Sequence, residues 1–341
     1  MTKWLDRFFF DREEHLASLD DLFRDCGPFR LGLFEDGSDG NFATISDMAA
    51  ALQIVQRSPE DFFSKIQKHG SFKVEGDFLV FKSAYSDGTA NDVVNVQMLL
   101  SKQRGRRAII IIPHWNARLG SYVSMGKALS LLGFSVCILI LPHHATRSMD
   151  SKQQVANNFF LNANLGTAIR SIRQSVSDLR SLIWWLDGRG YEEINLVGTS
   201  LGSCVASLTT AFEHKVTRCA LLHTAGDFGE TVWTGRATSH IRKALESQIS
   251  LAQLKEVWSV ISASTYVERF AQHHSKLLVV SGRRDRVVLP RLTMAFVEEL
   301  RRAKVDVEWH LLPCGHYTLG KFPSNIIALA LVLRFFAAKL R

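Results

Sequence analysis

The pentapeptide Gly198-Thr199-Ser200-Leu201-Gly202 lies between a short apolar run, Ile194 to Val197, and a helix-like run, Ser203 to Phe212. A serine on a sharp strand-to-helix turn, with glycine two residues away on either side, presents its hydroxyl as a nucleophile. The chemistry this predicts is covalent acyl transfer on Ser200. Alone the pattern is a weak signal, because a glycine-rich turn with a buried serine also matches it. The hydroxyl needs a base to take its proton, and the base needs a carboxylate to orient it. His316, in Pro313-Cys314-Gly315-His316-Tyr317, follows the strand-like run Val305 to Leu312, and Asp285 follows the strand-like run Lys276 to Ser281. Asp227, after the strand-like run that ends at His223, is the rival for the acid. The order serine, aspartate, histidine is the one expected of this kind of site.

Several elements must bring these residues together. Ala108 to Ile112, Phe134 to Leu141, Ile194 to Val197, Arg218 to His223, Lys276 to Ser281 and Val305 to Leu312 read as buried strands. Helix-like spacing separates them at Gly120 to Leu132, Leu165 to Leu186, Leu201 to Phe212 and Arg291 to Ala303, with a last helix after Lys321. Continuous apolar strands alternating with helices predict an α/β fold, a mostly parallel central sheet with helices on both faces. Phe78 to Phe81 and Val93 to Leu100 flank the turn-rich Ser86-Asp87-Gly88-Thr89 and predict an antiparallel opening. About fifty residues lie between His223 and Lys276, with helix-like stretches at Ile241 to Gln248 and Leu251 to Ile261. A connection that long predicts a functional cap, about residues 227–272, over the carboxyl edge of the sheet.

Residues 1–71 carry helical spacing, as at Met48, Leu52 and Val55, and read as an N-terminal helical extension to a main domain at 72–341. Ser58-Pro59-Glu60-Asp61 has the form of a helix start, with serine as the cap. Whether the extension docks on the main domain or recruits a partner is left open by its pattern. Phe8-Phe9-Phe10 reads as an anchor to that domain or a lipid contact.

From about residue 72 to the end the chain resembles the α/β-hydrolase superfamily. The resemblance rests on Gly198-Thr199-Ser200-Leu201-Gly202, Gly282-Arg283-Arg284-Asp285-Arg286-Val287-Val288 and Gly315-His316. Within it, Ile111-Ile112-Pro113-His114-Trp115-Asn116 and Leu139-Ile140-Leu141-Pro142-His143-His144, with the helical extension, are similar to the "α/β-hydrolase domain-containing protein 18" group. The superfamily resemblance implies the α/β-hydrolase fold and an oxyanion hole of two backbone N–H groups. Leu201 would supply one, and the loop after Ala108 to Ile112 the other, from Trp115 first and Asn116 next. Here the chain departs from pattern, since Pro113-His114-Trp115 stands where a His-Gly pair is usual. His114, Asn116, His143 and His144 are expected at the pocket wall.

The reading is a serine hydrolase that cleaves a small-molecule ester or thioester and needs no cofactor. Acyl transfer and amide cleavage use the same residues, and a non-catalytic binding or scaffold protein of this fold is the alternative outside catalysis. Adjacent histidines on an extended strand point to opposite faces, so His143-His144 and His273-His274 predict no metal site. The net charge of +8 comes from dispersed lysines and arginines without interleaved aromatic residues, which argues against nucleic-acid binding. Five scattered cysteines predict reduced thiols in the cytoplasm, and the early charges Lys3, Asp6 and Arg7 predict no signal peptide. No run approaches the ~18 to 20 apolar residues of a transmembrane helix. The run Ile326 to Leu333 reads as a last helix packed on the sheet, with weak peripheral membrane contact as the lesser alternative. Oligomeric state has no signature in the sequence.

Overall fold

The strands are β1 (Lys73–Glu75), β2 (Phe78–Lys82), β3 (Val93–Leu99), β4 (Arg107–Ile112), β5 (Ser135–Leu139), β6 (Glu193–Thr199), β7 (Val216–Leu222), β8 (Lys276–Gly282) and β9 (Val307–Leu312). The computed structural model describes residues 11–18, 26–32, 42–68, 72–86, 88–99, 106–148 and 159–338, so Phe8-Phe9-Phe10 lies outside the described residues. The strands form one sheet in the order β1-β2-β3-β5-β4-β6-β7-β8-β9. From β5 to β9 every pairing is parallel, and β1, β2 and β3 join antiparallel at one side. The antiparallel opening includes β1, which carries too few apolar residues to stand out in the sequence.

Side-chain alternation sorts the strands between two packed layers. Ala108, Ile110 and Ile112 of β4 face one core, whereas Ile109 and Ile111 face the other. Likewise Leu277 and Val279 of β8 face the first core, and Leu278 and Val280 the second. Both faces being buried, the strands read as unbroken apolar runs.

The helices are α1 (Ile45–Arg57), α2 (Pro59–Ser64), α3 (Val123–Ser130), α4 (Leu165–Gly188), α5 (Leu201–Phe212), α6 (Phe228–Thr234), α7 (Ser239–Leu245), α8 (Leu251–Trp258), α9 (Val267–His273), α10 (Pro290–Arg302) and α11 (Ser324–Ala337). Helix α3 starts later than its apolar spacing suggests, because Gly120 takes φ +86° and the chain turns there first. Helices α3 and α11 contribute to the smaller core, and α4, α5 and the helices between β7 and β8 to the larger.

Helices α1 and α2 join the larger core. Thr44 and Asp47 form a reciprocal cap at the start of α1, which aims Met48, Ala49 and Leu52 inward. Gln53 Nε2 donates to Glu256 Oε1 of α8 at 2.8 Å. Phe63 of α2 is fully buried, its ring 4.7 Å from that of Phe212. Pro59 opens α2, but the Ser58 side chain makes no capping bond, its backbone being held instead at the end of α1 by Val55.

Four helices, α6 to α9, fill the connection between β7 and β8. Trp258 of α8 is fully buried and its Nε1 donates to the carbonyl of Leu165 at 3.0 Å, so this helical insertion is fastened to the start of α4. Beneath β5, Arg147 and Asp178 make a fully buried ion pair of 2.9 Å, with Arg147 also donating to the carbonyls of Asn91 and Ile140. Those bonds tie the loop after β5 to α4 and to the turn before β3. Among the described residues no helix is long and apolar enough to cross a membrane.

Candidate active site

Sheet register sets the neighbours at the carboxyl edge. Thr199 is the partner of Leu222, so Ser200 and His223 leave adjacent strands side by side. Gly282 is the partner of Leu312, which starts the Asp285 and His316 loops at the same level. The chain also crosses from β5 past β4 to β6, so the strand order reverses beside Ser200, where open α/β sheets bind ligands.

Ser200 has φ 53° and ψ −117°, a conformation that costs free energy for a residue with a Cβ. Its N–H donates to the Leu222 carbonyl at 2.8 Å, and its carbonyl accepts from the Ser203 hydroxyl at 2.6 Å. The flanking glycines permit the turn. A Cβ on Gly198 would lie 2.4 Å from the Gly202 carbonyl, and one on Gly202 would lie 2.1 Å from the Ile112 carbonyl and 2.4 Å from that of Pro113. Backbone meets backbone at Gly202, so no side chain can yield. Gly202→Ala is therefore expected to lower unfolding free energy by about 3 kcal/mol, measured by urea denaturation, and a variant as stable as wild type would contradict this packing.

The same contact lays the loop after β4 against the start of α5. Leu201 is the first residue of α5, where an N–H has no partner within the helix. The His114 N–H donates to the Tyr122 hydroxyl at 3.3 Å, and that hydroxyl lies 2.7 Å from His114 Nδ1. Burial pushes the Tyr122 phenol up to about 12, so it stays protonated at neutral pH. The Trp115 ring stacks on His240 of α7, 6.4 Å between centroids and 7° between planes. Asn116 takes φ 64°, and its buried Oδ1 has no hydrogen-bond partner.

Asp285 is 3% exposed and all its oxygens are engaged. Oδ1 accepts from the N–H groups of Val287 and Val288, both at 2.8 Å, and Oδ2 lies 2.9 Å from His316 Nδ1. Burial by itself would raise this carboxyl. The facing imidazoles of His316 and His223 outweigh it and hold Asp285 well below the usual carboxylate range. Asp227 is engaged elsewhere: Oδ1 caps α6 by accepting from the Glu230 N–H at 2.8 Å, and Oδ2 meets Lys255 Nζ at 3.0 Å. Of the two rival acids, the one that meets His316 is Asp285.

His223 has no place in the sequence-based site. It follows β7 with φ 54°, is fully buried, and its Nδ1 lies 2.6 Å from the same Asp285 Oδ2, close but not aligned as a hydrogen bond. Its ring centroid is 4.5 Å from that of His316. Burial pushes His223 down from the ordinary histidine value, against the pull of the Asp285 carboxylate. The rule that located Asp285 and His316, a polar residue just past a strand's carboxyl end, points equally to His223. His223, Asp285 and His316 also form the group with metal-ligand spacing among the described residues, their ligand atoms all within 4.8 Å. Adjacent-histidine spacing could not reveal this cluster, whose members come from three loops.

His114 and His144 line a pocket between the loop after β4 and the end of β5, with Tyr122, Gln97 and Arg118, and neither Ser200, Asp285 nor His316 is among its lining residues. Burial, the largest influence on each, pushes His143 down to about 3 and His144 to about 4, so both rings are neutral at pH 7. His144 Nδ1 lies 2.7 Å from the Pro142 carbonyl and so carries the proton, leaving buried Nε2 an unpartnered acceptor.

The sequence profile of the prolyl oligopeptidase family matches residues 186–341, a segment that holds Ser200, Asp285 and His316. No curated protein matches the chain in sequence. Among solved structures, acetyl xylan esterase 1 from Thermoanaerobacterium sp. JW/SL YS485 superposes with a TM-score of 0.59 at 13% identity, over 85% of this chain and 98% of that one. A thermostable carboxyl esterase from Bacillus coagulans gives 0.55 at 11% identity, over 79% and 98%. The acylaminoacyl peptidase of Pyrococcus horikoshii gives 0.56 at 11% identity over 80% of this chain, which spans only 42% of that protein. Strand order, the turn at Ser200 and these superpositions together show that the chain has the α/β-hydrolase fold, with a C-terminal part similar in sequence to the prolyl oligopeptidase family.

Proposed function

We propose that the protein is a serine hydrolase that cleaves an ester or thioester through an acyl-enzyme on Ser200. The observation that carries this reading is the 2.9 Å contact of His316 Nδ1 with buried Asp285, at the sheet edge where Ser200 holds its strained turn. An ionised Asp285 keeps the Nδ1 proton in place, which leaves Nε2 as the base. Ser200 Oγ attacks the substrate carbonyl and gives its proton to His316. The carbonyl oxygen, now negative, is received by the Leu201 N–H and the Trp115 N–H, donors of this kind being worth about 3 kcal/mol each. His316 then protonates the leaving group, and a water activated by the same imidazole releases the acyl chain. The narrower likeness to the "α/β-hydrolase domain-containing protein 18" group rests on the loops after β4 and β5 and belongs to this reading.

A second reading, cleavage of an acylated peptide, is favoured by the prolyl oligopeptidase match over residues 186–341. Paired substrates separate the two: p-nitrophenyl esters and thioesters of graded chain length against the matching p-nitroanilides and N-acylated dipeptides. Ester or thioester turnover without peptide turnover is the expected result. Comparable kcat/KM on the peptides would transfer the assignment to a peptidase, and no turnover of any series would count against a hydrolase.

A further inference from the structure

Glu13 lies more than 300 positions before His316, yet its carboxylate is built into the loop that carries it. Residues 11–18 are helical, and Glu13 is 4% exposed. Its Oε1 accepts from the Tyr317 N–H at 2.9 Å and its Oε2 from the Thr318 N–H at 3.0 Å. The approach depends on Gly315, where a Cβ would lie 2.3 Å from the carboxylate carbon of Glu13. The Gly315 N–H in turn donates to the Thr318 hydroxyl at 2.8 Å, which closes the loop around His316. The adjacent Glu14 pairs with Arg286, the residue after Asp285, and lies 3.3 Å from Arg236 between α6 and α7. One short segment therefore grips the base loop, the acid loop and the cap.

Resting on the serine hydrolase reading above, we propose that Glu13 is a positioning residue for His316 and that the N-terminal segment completes the catalytic site. A buried carboxylate needs compensating partners, and two backbone N–H groups from consecutive residues supply them with charge-assisted bonds. Bonds of that strength fix the backbone on the carboxyl side of His316. The Asp285 contact fixes only its ring. A base displaced by about 1 Å loses on the order of 100-fold in rate, so backbone anchoring of this loop bears on turnover and not on stability alone. The contacts of Glu13 are to the His316 loop, and its effect runs through that loop.

Full-length wild type, Glu13→Ala and Glu13→Gln test this, with melting temperatures and circular dichroism to establish that each is folded. Fluorophosphonate labelling rate, kcat and KM on an activated ester, and hydrogen exchange of the peptide spanning residues 314–320 are measured on all three. Expected for Glu13→Ala are a fall of about 10- to 100-fold in labelling rate and kcat, KM within about twofold, and faster exchange of the Tyr317 and Thr318 amides. Glu13→Gln, which keeps one acceptor oxygen, should recover part of the loss. A folded Glu13→Ala that labels at the wild-type rate overturns the proposal and leaves the hydrolase reading standing. So does a loss expressed in KM alone, or one that merely follows the unfolded fraction. A wild-type protein that takes no probe overturns the hydrolase reading and, with it, this role for Glu13.

Discussion

Ser200→Ala should abolish fluorophosphonate labelling and lower kcat on an activated ester by up to about 10⁶-fold, the scale seen when a triad nucleophile is removed from a serine protease. The residual rate would come from substrate binding and the oxyanion donors. The substitution removes one oxygen atom and keeps the backbone, so the turn held by Gly198 and Gly202 should survive and thermal unfolding should change little. Neighbouring nucleophiles offer no substitute. Burial pushes the thiols of Cys204 and Cys314 up to about 12, which keeps them protonated at neutral pH, and the Ser203 hydroxyl is bonded to the Ser200 carbonyl. Labelling that persists in Ser200→Ala would move the nucleophile elsewhere and remove the proposed mechanism.

Asp285→Asn should lower kcat by about 10⁴-fold, because an amide oriented by the Val287 and Val288 N–H groups turns its own N–H₂ toward His316 and imposes the wrong tautomer. Asp227→Asn should have a small effect on kcat, since asparagine caps a helix as well as aspartate does. The reverse ranking would refute the choice of acid. The pH dependence has a defined sign. Asp285 is held below its unfolded value, so the stability it contributes is fully present above roughly pH 4 and is lost as pH falls through its lower folded value. Urea denaturation should therefore show a stability gap between wild type and Asp285→Asn that is present at neutral pH and closes only on strong acidification. Over the same range Asp285 stays ionised and cannot produce an acid limb in the activity profile.

The parallel sheet was legible because β4 to β8 are buried on both faces and so appear as unbroken apolar runs. Strand β1, with all three residues exposed, left no such trace. In the site, Ser200 was legible because its turn demands glycines at fixed offsets, a constraint written locally. The loops holding Asp285 and His316 could be located by following each strand to its end. Asp285 and Asp227 satisfy that rule equally, and only register and packing separate them: one faces His316, and the other caps α6 against Lys255.

Local pattern thus determined the parallel strands, the helices between them, and that a serine turn, an acid and a histidine share one sheet edge. Tertiary structure decided the rest. His223 beside Asp285, Trp115 beneath His240 and Glu13 under the His316 loop are contacts between residues brought together by folding, some of them hundreds of positions apart. Periodicity and turn chemistry report on neighbours within about one turn or one strand. Whether a buried carboxylate meets two N–H groups depends on the path of the whole chain.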